Sequence, residues 1–348
     1  MTAGNQGWCS VPPEVLGRAD GSGLSPDVAG TVVTMGTFDG VHRGHQDVVA
    51  RLVREAAEVG LASMLVTFEP HPLAVVRPDA APPLLTLPEE RLELLAPSGL
   101  DYVAILPFTR ELASYTAEQF VDLVLRPRYR MRRLLMGYDH GFGRGREGSP
   151  ERLRLLGVSR GFDVEVIGAV STETEAGRGE GEGIPISSSA IRRAVAEGDL
   201  AGAAVALGRP YSVSGRVVHG AGRGRLLGFR TLNLEPTDAR KLLPPQGVYA
   251  VRVQTPSGVF GGMLNLGPRP TFGDDRVGLE AHLFDAEGDW YGAWVRVDFI
   301  ARLRDTMRFA DADAIRRQLQ VDEHAARRAL TLAPEPGNLY SSPFYDTF

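Results

Sequence analysis

The chain has 348 residues, 43% of them hydrophobic, a formal net charge of -5 and one cysteine, Cys9. That length accommodates two ordinary domains with their own cores, and the acidic balance argues against a nucleic-acid binder. A disulfide framework or a cysteine-rich zinc site within the chain is excluded, and no run approaches the roughly 18 apolar residues of a membrane span. The basic residues are almost all arginine, with Lys241 the single lysine. A phosphate site would therefore rely on Arg, His and backbone N–H groups, and the planar guanidinium suits bidentate phosphate contacts.

Residues 1–29 are polar and turn-rich and read as a loose lead-in. They show no basic stretch ahead of an apolar one, so no signal peptide is expected and a cytoplasmic location is the default. From residue 30, TVVTMGTF reads as a buried strand, and HRGHQDVVARLVREAAEVG follows with Val49, Leu52, Val53 and Ala56 at helical spacing. ASMLVTF is the next strand, closed by the prolines of EPHP. PEERLELLAPSG reads as a short helix, DYVAILPF as a strand and TAEQFVDLVLRPR as a helix. RRLLMGYDHGFG reads as a strand entering a glycine-rich loop, and FDVEVIGAV as a further strand. Strands alternating with amphipathic helices predict a parallel α/β sheet of Rossmann type. Ligands bind such sheets beyond the carboxyl ends of the strands, where GTFDG, FEPHP and GYDHGFGRG stand here.

STETEAGRGEGEG at 171–183 reads either as a mobile loop over the site or as an idle insertion. ISSSAIRRAVAEGDLAGAAVALG predicts two short helices separated near Gly198 and Asp199. Past Tyr211 the chain turns to short β-prone segments joined by glycine turns, which predicts a small antiparallel β-barrel. DADAIRRQLQVDEHAARRAL then forms a long helix whose Ile315, Leu319 and Ala326 are expected against that barrel. The expected organisation is a lead-in at 1–29, an α/β domain at 30–207, a barrel domain with its C-terminal helix at 208–335 and a tail at 336–348.

In GTFDGVHRGHQ, at 36–46, His42 and His45 are three apart at the start of a predicted helix and share a face. The first helical N–H groups lack intrahelical partners and the dipole favours an anion there. Imidazoles can also donate to phosphoryl oxygens as charge develops. A zinc site needs three or four ligands and is disfavoured by the missing HExxH arrangement. Histidines that only cap the turn are the other alternative.

GTFDGVHRGH resembles the signature of the bacterial bifunctional riboflavin kinase/FMN adenylyltransferase (FAD synthetase) family. Three more matches follow in order: TFEPHP at 67–72, GYDHGFGRGREG at 137–148 and ISSSAIR at 186–192. The resemblance spans roughly residues 30 to 330. It implies that His42 and His45 contact the ATP phosphates and the transition state. It also implies that Ser188 and Arg192 hold the triphosphate, and that Gly36, Phe38, Asp39 and Gly40 shape the nucleotide pocket. Asp139, Phe68 and Phe142 fall near the flavin by the same comparison; a structural acceptor role for Asp139 and core packing for the two rings are the alternatives.

GRVVHGAGRGRLLGFRTLNL at 215–234 resembles the riboflavin-kinase signature. Gly220, Gly222 and Gly224 would let backbone N–H groups face phosphates, and Thr231 and Asn233 would supply oxygens to ATP and Mg²⁺. Where the family pattern reads Gly-Phe-Pro-Thr-x-Asn, this chain has Arg230 in place of proline, which removes a fixed backbone angle. GLEAHLF resembles the family strand whose glutamate is the general base, which assigns that role to Glu280. A glutamate in an alternating strand is otherwise part of its solvated face. NLGPRPTFG resembles another segment of the family's kinase, which implies that Asn265, Arg269 and Thr271 lie near the substrates, and LRDTMRF is similar to the family's stretch before the last helix, which implies that Arg304 and Phe309 support the flavin site.

The expected activity is phosphorylation of riboflavin by ATP to FMN, then adenylylation of FMN by a second ATP to FAD with release of pyrophosphate. Mg²⁺ is the expected cofactor. The partners are the small molecules riboflavin, FMN and ATP, with no nucleic acid or membrane, in a monomer or weak homo-oligomer. Three rivals remain. An FMN adenylyltransferase with an impaired kinase would follow from Arg230. A cytidylyltransferase-like enzyme would explain HRGH and ISSSAIR only. A non-enzymatic flavin-binding regulatory protein would be built on a decayed barrel.

Overall fold

The computed structural model describes residues 14–16, 24–137, 141–168, 186–220, 228–268 and 277–333. The chain forms two compact units, one from residues 1–82 and 88–187, the other from residues 83–87 and 188–348.

The first unit is built on a six-stranded parallel sheet. Its strands are β1 (Glu14–Leu16), β2 (Thr31–Met35), β3 (Ala62–Glu69), β4 (Tyr102–Pro107), β5 (Met131–Gly137) and β6 (Asp163–Ile167), in the order β1-β4-β3-β2-β5-β6. The helices are α1 (Arg43–Glu58), α2 (Pro72–Val76), α3 (Pro88–Leu95), α4 (Arg110–Ser114), α5 (Ala117–Phe120), α6 (Arg126–Tyr129) and α7 (Pro150–Arg160). A π turn, Val121–Leu125, joins α5 to α6. The strands read as continuous apolar runs because both faces are covered. Val32, Leu65, Val103, Ile105 and Leu135 point to the side of α1 and α3. Val33, Met64, Ala104, Leu106 and Leu134 point to the side of Phe120, Val124 and Leu153.

Some elements depart from the expectations. Glu14–Leu16, inside the stretch read as a loose lead-in, pairs in parallel with β4 as an edge strand, and Leu16 and Leu24 enter the core. Three residues carry too little periodicity to announce a strand. Helix α7 also went unread, because Leu155 and Val158 on it are exposed and blur its apolar stripe.

The second unit opens with α8 (Ser188–Glu197) and α9 (Leu200–Leu207), separated at Gly198 and Asp199 as the sequence predicts. Asp199 caps α9 by accepting the Gly202 N–H at 2.9 Å. A closed antiparallel barrel follows, ordered β10-β11-β8-β7-β12-β9. Its strands are β7 (Tyr211–Val218), β8 (Leu232–Glu235), β9 (Gly247–Thr255), β10 (Gly258–Pro268), β11 (Val277–Leu283) and β12 (Trp294–Arg304). Alternate residues such as Val213, Tyr249, Val251, Leu264, Leu279 and Phe299 are fully buried, as the filled interior of a small barrel requires. The last helix, α10 (Ala312–Leu332), packs outside, where Leu319, Ala326 and Leu330 cover Ala250 and Met263.

Residues 83–87 belong to this unit although their neighbours in sequence do not. The Leu84 N–H donates to the Arg240 carbonyl at 2.7 Å and the Leu242 N–H to the Leu84 carbonyl at 2.9 Å. The lone lysine, Lys241, is buried here and donates from Nζ to the Leu85 carbonyl at 2.6 Å.

Candidate functional site

In the first unit, β2 lies between β3 and β5, so the chain order reverses at its carboxyl end. Parallel sheets open their ligand crevice at such a point, and residues 36–46 occupy it. Gly36 leaves β2 with its N–H donated to the Val66 carbonyl at 3.0 Å. The turn that follows holds two non-glycine residues in the left-handed region, Phe38 (φ 47°) and Val41 (φ 38°), with Asp39 and Gly40 between them. Such residues cost roughly 1–3 kcal/mol each and persist where the surroundings over-determine them; Phe38, Asp39 and Val41 are all buried.

The turn delivers His42 to the N-cap of α1, where its Nδ1 accepts the His45 N–H at 3.4 Å. With Nδ1 accepting, neutral His42 carries its proton on Nε2. The two imidazoles stack with centroids 3.6 Å apart and 17° between planes, and Phe38 lies 4.8 Å from the His45 ring. Gln46 Nε2 ties back to the Val41 carbonyl at 2.8 Å, so the helix start is held from both sides.

Beneath the turn sits a residue that sequence reading missed. Arg91 of α3 is buried and donates from Nη1 to Thr67 Oγ1 at 2.8 Å, and Thr67 Oγ1 donates to the Thr37 carbonyl at 3.1 Å. Burial lowers the Arg91 guanidinium from its ordinary value, and the carboxylates of Asp39, Glu69 and Glu89 oppose it. Arginine on a short helix carries no signal of this role; only the fold brings it to Thr67 and Asp39. Phe68 and Phe142 are partly buried against Phe120, at 6.4 and 5.7 Å between centroids. Asp139 lies outside the described residues. Ser188 begins α8 and Arg192 lies one turn on, both in the second unit, with Arg192 Nε donating to the Pro83 carbonyl at 2.9 Å.

On the barrel, strand register gathers the predicted residues. Glu280 is opposite Asn233 on β8 and opposite Asn265 on β10. Residues directly opposite in an antiparallel ladder share a face, so Asn233, Glu280 and Asn265 form one polar row on the outer wall. The row continues through Val248 to Arg304. Arg304 grips Asp322 of α10 with Nε at 2.8 Å and Nη2 at 2.6 Å, and its guanidinium lies 5.8 Å from the Phe309 ring centroid.

Gly220 makes the row possible at its β8 end. A Cβ there would fall 1.9 Å from Asn233 Nδ2, so a larger residue and this amide cannot coexist. Gly222, Gly224, Arg269 and Thr271 lie outside the described residues. Thr231 and Arg230 line a cavity of 520 Å³ that continues past His282, Phe284, Tyr291 and Arg327. That volume lies in the range of small-ligand pockets. Its lining joins apolar and aromatic side chains to charges of both signs. Among the described residues no group of three His, Cys, Asp or Glu side chains could hold a metal by itself. Thr231, Asn233 and Glu280 do present hard oxygen donors on adjoining segments.

The comparisons with known proteins divide the chain along the same two sites. The FAD synthetase family model matches residues 25–178 and the riboflavin kinase model residues 207–330. The bifunctional riboflavin kinase/FMN adenylyltransferase of Escherichia coli (strain K12) is 41% identical over 302 residues, covering 86% of this chain and 92% of that protein. The Pseudomonas fluorescens protein of the same name is 38% identical over 305 residues, covering 87% and 94%. A crystal structure described as a macrolide-efflux protein from Streptococcus pneumoniae is 30% identical, with a TM-score of 0.75, covering 86% of this chain and 96% of that one. Among the described residues here, no helix is long and apolar enough to cross a membrane. With two family models in series and such relatives matched over nearly their whole length, the chain belongs to the bifunctional riboflavin kinase/FMN adenylyltransferase family.

Proposed function

We propose that the two sites act in series, with the barrel phosphorylating riboflavin to FMN and the α/β unit adenylylating FMN to FAD. The observation that carries this reading is the polar row Asn233–Glu280–Asn265, beside Thr231 and its cavity, in a chain that also presents HRGH at a sheet switch point.

In the first step the Glu280 carboxylate takes the proton of the ribityl 5'-hydroxyl while that oxygen attacks the γ-phosphorus of ATP. The bond from γ-phosphorus to the bridging oxygen breaks and ADP leaves. Asn265 and Arg304 belong to the flavin side of the row, and Arg304 acts there through the position it gives α10. Thr231 and Asn233 fit Mg²⁺ as oxygen donors, and the bound ion would offset phosphate charge. In the second step an FMN phosphate oxygen attacks the α-phosphorus of another ATP and pyrophosphate departs. Such transfers need alignment and charge stabilisation, with no protein nucleophile. In this reading His42 Nε2–H and the α1 N-terminus donate to phosphoryl oxygens. Phe68 and Phe142 flank the flavin. The functional boundary at 207/208, a cytoplasmic location and a monomer or weak homo-oligomer belong to the same reading.

The test is a chromatographic time course with riboflavin, ATP and Mg²⁺, run beside one that starts from FMN. Both products appear in order with the unmodified chain. Glu280→Ala abolishes FMN formation and spares FAD formation from FMN, and His45→Ala does the reverse. Equal loss of both activities in either variant sinks the two-site assignment. FAD formed only from supplied FMN by the unmodified chain would favour the reading in which Arg230 has silenced the kinase.

A further inference from the structure

The geometry points to His282 as a positioning residue of the kinase site, one that holds the backbone just before Thr231 and supplies the restraint that residue 230 does not. The inference rests on the placement of the kinase site along the Glu280 row.

Backbone pairing between β8 and β11 covers three residue pairs, Leu234 with Leu279, Asn233 with Glu280 and Leu232 with Ala281. Thr231 and Arg230 lie beyond the end of this ladder. His282 follows Ala281 and shares the outer face with Glu280. Its Nδ1 is 2.7 Å from the Arg230 carbonyl oxygen. A carbonyl only accepts, so Nδ1 carries the hydrogen, and it does so whether the ring is neutral or protonated. The imidazole is fixed in turn by two rings set edge-on to it, Phe229 at 5.1 Å and 71° and Phe284 at 5.9 Å and 70°. One side chain of the strand that bears Glu280 thus extends the ladder to the segment that bears Thr231.

The need for such a clamp follows from residue 230 itself. Arg230 is exposed and lines the cavity mouth with Thr231. An arginine leaves its own φ free, whereas a proline would fix it near -65°. With the carbonyl of residue 230 held, the peptide that leads into Thr231 is held too, and the hydroxyl keeps its place relative to Glu280. Arg230 is consistent with a working kinase on these terms.

The experiment compares His282→Phe, His282→Asn and the double variant His282→Phe with Arg230→Pro, in the full chain, with Glu280→Gln as a parallel control. Phenylalanine keeps the aromatic packing and loses the donor. Asparagine keeps an N–H near the position of Nδ1. Steady-state riboflavin phosphorylation is read for kcat and KM, with FAD formation from FMN as the check that the chain is folded. His282→Phe is expected to lower kcat/KM for ATP by about five- to tenfold, the usual effect of one lost hydrogen bond. Its KM for riboflavin stays unchanged. His282→Asn stays within about twofold of the unmodified chain on the same scale. Added to His282→Phe, Arg230→Pro recovers most of the loss by fixing φ at residue 230. The inference is overturned if His282→Phe phosphorylates riboflavin normally while Glu280→Gln does not. It is also overturned if the phenylalanine and asparagine variants lose equally and proline recovers nothing. Normal phosphorylation by both His282→Phe and Glu280→Gln would remove the site reading itself.

Discussion

At the scale of single residues, the site is built by contacts that leave no room for exchange. Gly220 reads in the sequence as one glycine of a phosphate-facing run, yet its absent Cβ is required by the Asn233 amide. Gly220→Ala is therefore expected to displace Asn233 and lower riboflavin phosphorylation at least about tenfold, a loss near 1.4 kcal/mol in transition-state stabilisation. FAD formation from FMN serves as the internal reference and should be unaffected. Unchanged phosphorylation would show that Asn233 can leave its place in the row without cost. The histidines of HRGH carry a similar lesson. Their spacing predicts a shared face and left capping as one alternative, and the structure shows that His42 Nδ1 does cap the helix; the stacking of the rings appears only with the left-handed turn at Phe38 and Val41.

At the scale of elements, the kinase row depends on how α10 is fastened to the barrel. The Arg304–Asp322 pair joins the end of β12 to the middle of α10, with Asp322 buried and also accepting from Gln318 Nε2 at 2.9 Å. Removing one partner leaves the other charge without its counterpart. Asp322→Ala should destabilise the barrel unit by about 2–3 kcal/mol, somewhat below the usual cost for a fully buried pair because Arg304 retains some contact with water. Thermal unfolding followed by circular dichroism would check this, and an unchanged transition would mean that the apolar contacts of Leu319, Ala326 and Leu330 hold α10 by themselves. In the first unit Arg91 has the matching role, because it links α3 to the strand that leads into FEPHP and to the turn around Asp39. Arg304 stands in the motif LRDTMRF, whereas Arg91 is not separable by pattern from the many solvated arginines in this composition.

At the scale of the whole molecule, two phosphate-handling sites in two compact units imply two separable activities. A mixture of Glu280→Ala and His45→Ala chains should convert riboflavin to FAD, with free FMN detectable in between, because the intact barrel of one serves the intact α/β unit of the other. Failure of the mixture, with each variant still active in its own remaining step, would mean that FMN does not pass through solution.

The periodicities were enough to expect a parallel α/β sheet followed by a barrel and a long helix. Local patterning reports burial on one or two faces, and here the strands follow it. HRGH, Thr231, Asn233 and Glu280 were legible because short motifs keep their chemistry in a fixed local order. The β1 edge strand, the inclusion of residues 83–87 in the second unit, and the support given by Arg91 and His282 were not legible. Each depends on partners far away in sequence: Glu14 on Tyr102, Leu84 on Lys241, Arg91 on Thr67 and His282 on Arg230. The sequence by itself determined the kinds of element and named the candidate groups, because both are written within a few residues. The tertiary structure alone decided which side chains hold those groups in place, because hydrogen bonds and close packing between distant segments exist only once strand register has brought them together.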